Sequence, residues 1–368
     1  MFFLNKRACI TFILIFTLFS ATLDYLSSFG IVKVTSLKYL PYLVVILFLV
    51  FNRSQAARVQ VFLAFSLIFY SLVSSITQGG AYFGLLSDIL LTFSNLLLFI
   101  FVSQCISEED NKKVARTIIF IGVISSVLGI AELLFGHQFE AYSAIRMFIL
   151  DNGYGYFDSR SFSFYFNPNF FGLILVICFI LGVEYKVKRH YLVVIFLGLL
   201  TSKSKTALAL VTIFLYLYFL YKYSKPVLFF SLFFFPSLFY IGYSVLDHKA
   251  IFNSLLLRVE TWSDLELSKY LFLGRGFGYS DDLTFDNGYL RLSYSLGIIG
   301  MLIYFSIYLI SGKSKYTFSC VVLFVVYLLS NITIPSYYIY PLSVNFNIAL
   351  ALLISRKKNE TIHNNINI

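Results

Sequence analysis

Charge is scarce in this sequence. Asp, Glu, Lys and Arg make up only 12% of its 368 residues, against about 25% in soluble globular domains. That shortfall, with a mean hydropathy of +0.83, excludes a water-soluble fold and leaves no soluble domain to assign. Cysteine is also sparse. Cys9, Cys105, Cys178 and Cys320 each stand alone in an apolar run, so neither a disulfide framework nor a paired metal or redox site is encoded. The glycine stretch GRGFG at 274–278 lacks the Gly-Lys-Ser/Thr of a phosphate loop. It therefore reads as a tight turn rather than a nucleotide cradle. No internal repeat relates the two halves.

What remains is apolar and aromatic: 59% of the residues are hydrophobic and 20% are Phe, Tyr or Trp. The apolar runs are continuous rather than alternating, which selects helices over a barrel as the way to satisfy the backbone in lipid. The first run, about 8–28 behind Lys6 and Arg7, is too long for a leader h-region and lacks a small-residue cleavage site, so it reads as a retained helix. Further spans are expected at 38–52, 58–77, 81–104, 116–135, 167–185, 190–202, 206–221, 226–245, 289–311, 317–332 and 339–354. The expectation is an all-α polytopic membrane protein of about 12 transmembrane helices, one domain over 1–368. Its extracytoplasmic loops fall at about 136–166 and 246–288, the second long.

The loop charges follow this topology. An even count puts both termini on one side, and the basic ends MFFLNKR and RKKNE predict that side to be cytoplasmic. The inner set is then Lys6, Arg7, Arg53, Arg58, Lys112, Lys113, Arg116, Lys186, Lys188, Arg189, Lys222, Lys225, Lys313, Lys315, Arg356, Lys357 and Lys358. These are 17 of the 28 Lys and Arg, a positive-inside pattern. The other eleven are Lys33, Lys38, Arg146, Arg160, Lys203, Lys205, Lys249, Arg258, Lys269, Arg275 and Arg291. Most of them gather in the two outer loops and at one short turn. Long translocated loops escape the charge rule, which accounts for Lys249 and Lys269, but a short turn does not.

That turn is TSKSKTALAL, residues 201–210. The apolar stretch from His190 to Tyr223 is too long for one span of about 20 residues and short for two. Thr201 to Lys205 is therefore expected to be a break near the outer face, lining a polar cavity, with the helix that restarts near Thr206 pointing its positive end into it. Lys203 and Lys205 beside a helix N-terminus make an anion site. The competing reading is that the two lysines snorkel to lipid phosphates.

Two further constellations flank it. In RSFSFYFNPNFFG, residues 160–172, Asn167-Pro168-Asn169 is turn chemistry with Pro168 placed to open a helix. Arg160 on its approach either faces the same cavity or snorkels at the interface. In the long outer loop come LLLRVETW (255–262), LFLGRGFGY (271–279) and FDNGYLRLSYSLGIIG (285–300). Asp286 and Asn287 sit where a helix cap is expected, and Asp286 is alternatively a general base beside the cations.

The order of these elements, RSFSFYFNPNFFG, SKSKTALAL, R-x-x-x-W, LFLGRGFGY and DNGYLRLSYSLGIIG, resembles the O-antigen polymerase (Wzy) family, within the O-antigen ligase/polymerase superfamily. The motif resemblance spans about residues 155–305. It implies a GT-C-like glycosyltransferase at the outer face of the bacterial inner membrane, acting on undecaprenyl-pyrophosphate-linked oligosaccharides. The reaction it implies moves the growing O-antigen or capsule chain onto the non-reducing end of a new repeat unit. No cofactor, metal, nucleotide sugar or nucleic acid is implied; a chain-length-regulating co-polymerase is.

Residue by residue, Arg258 matches the arginine of the R-x-x-x-W element, thought in the superfamily to contact pyrophosphate. Lys205 holds a place more often taken by arginine, keeping the charge but losing the bidentate fork. Arg160 and Asn169 match the R-S-x-x-x-x-x-N-P-N-x-x-G pattern. Asp286 stands where ligases carry histidine, which favours a polymerase.

The resemblance thus makes Asp286 and Arg258 catalytic, with Lys205, Arg160, Arg291, Arg275, Lys203, Asn169, Asn287 and Tyr289 binding pyrophosphate or glycan. Fixed cations would meet the charge that develops on the leaving pyrophosphate. Asp286 would take the acceptor proton or only orient a cation or the loop, since an exposed carboxylate with a pKa of about 4 is a weak base for a sugar hydroxyl. A direct displacement inverts the anomeric centre. The alternatives are a ligase that moves the glycan to another acceptor, and a polytopic lipid or sugar transporter, for which internal repeats are expected. Asp88 and Glu132 lie in expected spans and either function or pair with a cation. His137 and His190 read as loop residues.

Overall fold

The computed structural model describes residues 8, 10–17, 58–77, 82–105, 107–138, 147, 160–165, 167–222, 270–277, 287–310, 317–334, 336, 339 and 341–366. Among them there is no strand. In chain order the long helices are α1 (Arg58–Thr77), α2 (Tyr82–Cys105), α3 (Glu108–Phe135), α4 (Pro168–Glu184), α5 (Arg189–Ser202), α6 (Lys205–Lys222), α7 (Gly288–Ile310), α8 (Phe318–Thr333) and α9 (Leu342–Ile366). Residues 10–17 are also helical.

Local chemistry sets several of these ends. Asn167 caps α4, its Oδ1 accepting from the N–H groups of Asn169 at 2.9 Å and Phe170 at 3.3 Å, with Pro168 at the first helical position. Pro fits there because its missing N–H is one that the helix leaves unpaired anyway. Thr317 caps α8 by accepting from Cys320 N–H at 3.1 Å. α3 starts at Glu108, eight residues before the expected span, because Ser107 caps it through Asp110 N–H. The charged EEDNKK run that follows forms good helix before lipid begins.

The core is apolar, and on α1 large apolar side chains also face outward. On α1, Phe62, Phe65 and Phe69 face outward while Gln60, Ser71 and Ser75 are buried. Gln60 Nε2 donates to the Ile307 carbonyl of α7 at 3.1 Å. An apolar outer stripe over a hydrogen-bonded inner one is the arrangement a lipid solvent favours. α4 is buried on every side from Phe171 to Gly182, and residues 342–355 of α9 are likewise buried throughout. These two helices touch each other at the centre, with α2 against α9 and α3, α5 and α6 against α4. α7 packs on α1 and α8.

This is a helical membrane protein, but the twelve expected spans are not what its described residues contain. Four helical stretches are long and apolar enough to cross a bilayer: Val59–Thr77, Glu109–Phe135, Lys205–Lys222 and Gly288–Ile310. Five other apolar stretches are shorter among the described side chains: Thr92–Ser103, Pro168–Glu184, Arg189–Ser202, Phe318–Ile332 and Leu342–Ser355; the first and last lie within the longer helices α2, of 24 residues, and α9, of 25. For α5 the helix itself is short. The 14 residues of α5 reach about 21 Å at 1.5 Å each, roughly 9 Å less than a hydrocarbon core of about 30 Å. The expected spans 38–52 and 226–245 lie outside the described residues, and that at 8–28 is described only as far as residue 17.

Candidate functional site

The break expected after Thr201 is present and tight. α5 ends at Ser202; Lys203 adopts the left-handed conformation, φ 47° and ψ 29°, and its N–H donates back to the Leu200 carbonyl at 3.2 Å. α6 restarts at Lys205, with the Ser204 hydroxyl accepting from Ala207 N–H at 3.4 Å in the geometry of an N-cap. Lys203 and Lys205 are both exposed. Among the described residues neither ammonium has a partner.

The segment 160–165 lies on this break. Ser161 donates its N–H to the Thr201 carbonyl at 3.0 Å and its hydroxyl to the Gly129 carbonyl of α3 at 2.7 Å. Half-buried Arg160 donates from Nε to the Ser202 carbonyl at 3.0 Å and from its terminal NH2 to Asn169 Oδ1 at 2.7 Å. The same Asn169 oxygen accepts the Ser204 hydroxyl at 3.1 Å. The loop at 160, the start of α4 and the break more than 30 residues further on thus meet at one amide oxygen. A cation fixed through two hydrogen bonds is held to one geometry, which a snorkelling side chain is not.

Two features make that meeting sterically and electrically feasible. Gly172 of α4 leaves the room: a Cβ there would lie 2.8 Å from Ala207 Cβ and 2.9 Å from both Ser202 Oγ and Ser204 Cβ. Glu132 of α3 supplies the anchor. Its buried carboxylate accepts the backbone N–H of Phe162 at 3.1 Å and of Ser163 at 2.8 Å. Ser163 has φ 50°, and its hydroxyl donates to the Ser125 carbonyl at 2.9 Å. The sequence offers Glu132 a function or a cation partner; in the fold its carboxylate accepts from backbone amides of the Arg160 segment. The visible cue was a lone carboxylate in an apolar helix.

No protein-family model, curated protein or solved structure matches this chain.

Of the remaining expected site residues, Arg275, Asn287, Tyr289 and Arg291 lie on α7 or against it. Gly274 and Gly276 have φ 71° and 89°, and the loop they shape docks where α7 is broken. Gly297, with φ 66° and ψ 174°, interrupts the helix. The carbonyls of Tyr294 and Ser295 beside that break accept the N–H groups of Arg275 at 2.6 Å and Gly276 at 2.9 Å. On the other side, Phe277 N–H donates to Ser75 Oγ of α1 at 2.7 Å, and the Tyr70 hydroxyl donates to the Leu273 carbonyl. GRGFG is therefore a turn, as its missing Gly-Lys-Ser/Thr implied, but one that plugs a broken helix.

Arg275 is held there between two aromatic rings. Its guanidinium carbon lies 5.5 Å from the Tyr270 ring centre and 5.6 Å from that of Tyr294, whose hydroxyl accepts from it. Asn287 is the N-cap of α7, its Oδ1 accepting from Tyr289 N–H at 2.9 Å and Leu290 N–H at 3.2 Å. Tyr289 donates its hydroxyl to the Leu328 carbonyl of α8 at 2.7 Å. Arg291 is half-buried one turn further. Arg258 and Asp286 lie outside the described residues, as do the side chains of Asp88 and His137. His190 is exposed at the start of α5, its ring 4.3 Å from that of Tyr191. Among the described residues no three His, Cys, Asp or Glu side chains gather as metal ligands.

Proposed function

We propose that this chain is a membrane-embedded polysaccharide repeat-unit polymerase, transferring an undecaprenyl-pyrophosphate-linked glycan onto the non-reducing end of a new lipid-linked unit. The observation that carries the reading is the node at Asn169 Oδ1, which holds Arg160 against a helix break bearing two exposed lysines that have no partner among the described residues. A diphosphate diester at a membrane surface needs such fixed positive charge, because its leaving group gains negative charge as the glycosidic bond breaks.

In the reaction the acceptor hydroxyl attacks the anomeric carbon and its bond to the pyrophosphate oxygen breaks, with inversion. The pyrophosphate leaves as an anion toward Lys203, Lys205 and Arg160, with Arg258, Arg275 and Arg291 as further candidate cations. The acceptor proton passes to Asp286. The substrate's location puts this chemistry on the outer face of the inner membrane, with both termini cytoplasmic.

The test is chain-length analysis of surface polysaccharide in a deletion strain carrying wild type, Lys205→Ala, Lys205→Arg, Arg258→Ala or Asp286→Ala, with membrane expression matched. The expected result is single capped repeats in the deletion, a ladder restored by wild type and Lys205→Arg, and none from Lys205→Ala or Arg258→Ala. Accumulation of full-length lipid-linked polymer in the deletion would identify a ligase instead. An unchanged glycan would remove both readings and point to transport.

A further inference from the structure

The helices that carry the break at one end form a cavity at the other. α3, α4 and α5 run side by side, and the turn Tyr185–Lys188 joins the last two at the end away from Lys203 and Lys205. Here a cavity of about 550 Å³ is lined by Arg116, Lys186, Lys188, Phe120, Val123 and Tyr191, among others. It lies about 20 Å along α5 from the break.

Its two kinds of wall are distinct. Arg116, Lys186 and Lys188 are exposed, and among the described residues none of the three side chains has a hydrogen-bond or ion-pair partner. The nearby acids are engaged elsewhere: Glu109 pairs with Lys113, and Glu184 accepts the Ser319 hydroxyl of α8 at 2.5 Å. The other wall is apolar. From Phe120 an exposed stripe continues along α3 through Ile124, Val127 and Leu128, the one-face spacing of a helix. The cations stand where charge stops on both helices, since residues 117–131 and 191–202 carry none. A ligand matching this shape has a compact anionic head and a long apolar tail.

We infer that this cavity binds an anionic glycerophospholipid of the cytoplasmic-side leaflet, its phosphate among Arg116, Lys186 and Lys188 and an acyl chain along Phe120, Ile124 and Val127. Three unneutralised cations facing an apolar track fit that occupant by charge and by polarity. A zwitterionic lipid would bring a second, repelled positive charge. A free phosphate would engage the cations alone and make no use of the apolar wall. The inference uses only the membrane placement of these helices and is independent of the proposed reaction.

The experiment is native mass spectrometry of the detergent-purified full-length chain titrated with phosphatidylglycerol, with phosphatidylcholine, or with phosphatidylglycerol plus excess inorganic phosphate. The expected result is one retained phosphatidylglycerol, no comparable phosphatidylcholine adduct, and no displacement by phosphate. Arg116→Gln/Lys186→Gln/Lys188→Gln should weaken that adduct on the order of 100-fold and Arg116→Gln alone about fivefold. Lys186→Arg/Lys188→Arg should retain it. Equal adducts for the two lipids, or the same loss from Lys112→Gln/Lys113→Gln outside the cavity, would overturn the site. Displacement by phosphate would make it an inorganic anion site and end the lipid assignment.

Discussion

Arg160 and Ser204 share one acceptor: the Oδ1 of Asn169 takes the guanidinium at 2.7 Å and the hydroxyl at 3.1 Å. Because both donors converge on one atom, the loop at 160, the start of α4 and the α5–α6 break are one mechanical unit. Arg160→Ala and Asn169→Ala should therefore be non-additive, with a coupling of about 1–2 kcal/mol in a double-mutant cycle. Thermal unfolding of the four detergent-solubilised proteins measures it, and simple additivity would separate the two residues.

Glu132 clamps the same loop from α3 through two backbone amides. Glu132→Gln keeps the size but removes the charge from the acceptor and turns an NH2 group toward one N–H. It should cost about 1–3 kcal/mol and speed proteolytic cleavage near residues 160–165. Unchanged stability and cleavage would show that the amides find other partners.

Lys203 occupies a left-handed backbone position, which separates its two roles. Lys203→Gly relieves the conformation and should raise stability by up to about 1 kcal/mol. Lys203→Val, branched at Cβ, should lower it by about 1–2 kcal/mol. Both remove the charge, so both should shorten the polysaccharide ladder if the ammonium meets pyrophosphate. A normal ladder from Lys203→Gly would confine Lys203 to shaping the turn.

The break in α7 makes a contrasting pair of glycines. At Gly297 an added Cβ would lie 2.1 Å from the backbone oxygen of Phe272, whereas at Gly300 its nearest neighbour is the Leu296 side chain at 2.8 Å. Gly297→Ala should cost roughly 3 kcal/mol or more, the sum of strain and clash with fixed backbone. Gly300→Ala carries no left-handed strain but meets Leu296 Cβ at 2.8 Å, so it should cost less, about 1–2 kcal/mol. Relative yields of folded protein on size-exclusion chromatography compare them.

Much of this was legible as composition and punctuation. α1 runs from Arg58 to Thr77, as its uninterrupted apolar run between polar flanks implied. Asn-Pro-Asn opened α4, and the lysines of SKSK marked the break after Ser202. The twelve-span topology was not recovered, because apolar content does not distinguish a full crossing from a 14-residue segment such as α5. The interruption of α7 was hidden inside SLGIIG, whose Gly297 reads as ordinary helix until a loop docks against it. Glu132 was visible, but its partners are main-chain amides 30 and 31 residues away, and a backbone N–H has no letter in a sequence. The meeting of Arg160 with Asn169 is tertiary geometry that spacing alone does not encode.

The loop that plugs α7 also imposes an order in time. Ser75 receives the Phe277 amide 202 residues later in the chain, and Gln60 finds the Ile307 carbonyl 247 residues later. Asn111 waits for Leu352 and Ser355. At about 5–20 residues per second of synthesis, the early helices spend tens of seconds in the membrane with inward polar groups still lacking these partners. During that interval the nascent chain displays the polar side chains by which an unfinished membrane protein differs from a finished one, and arrival of the last helix removes them.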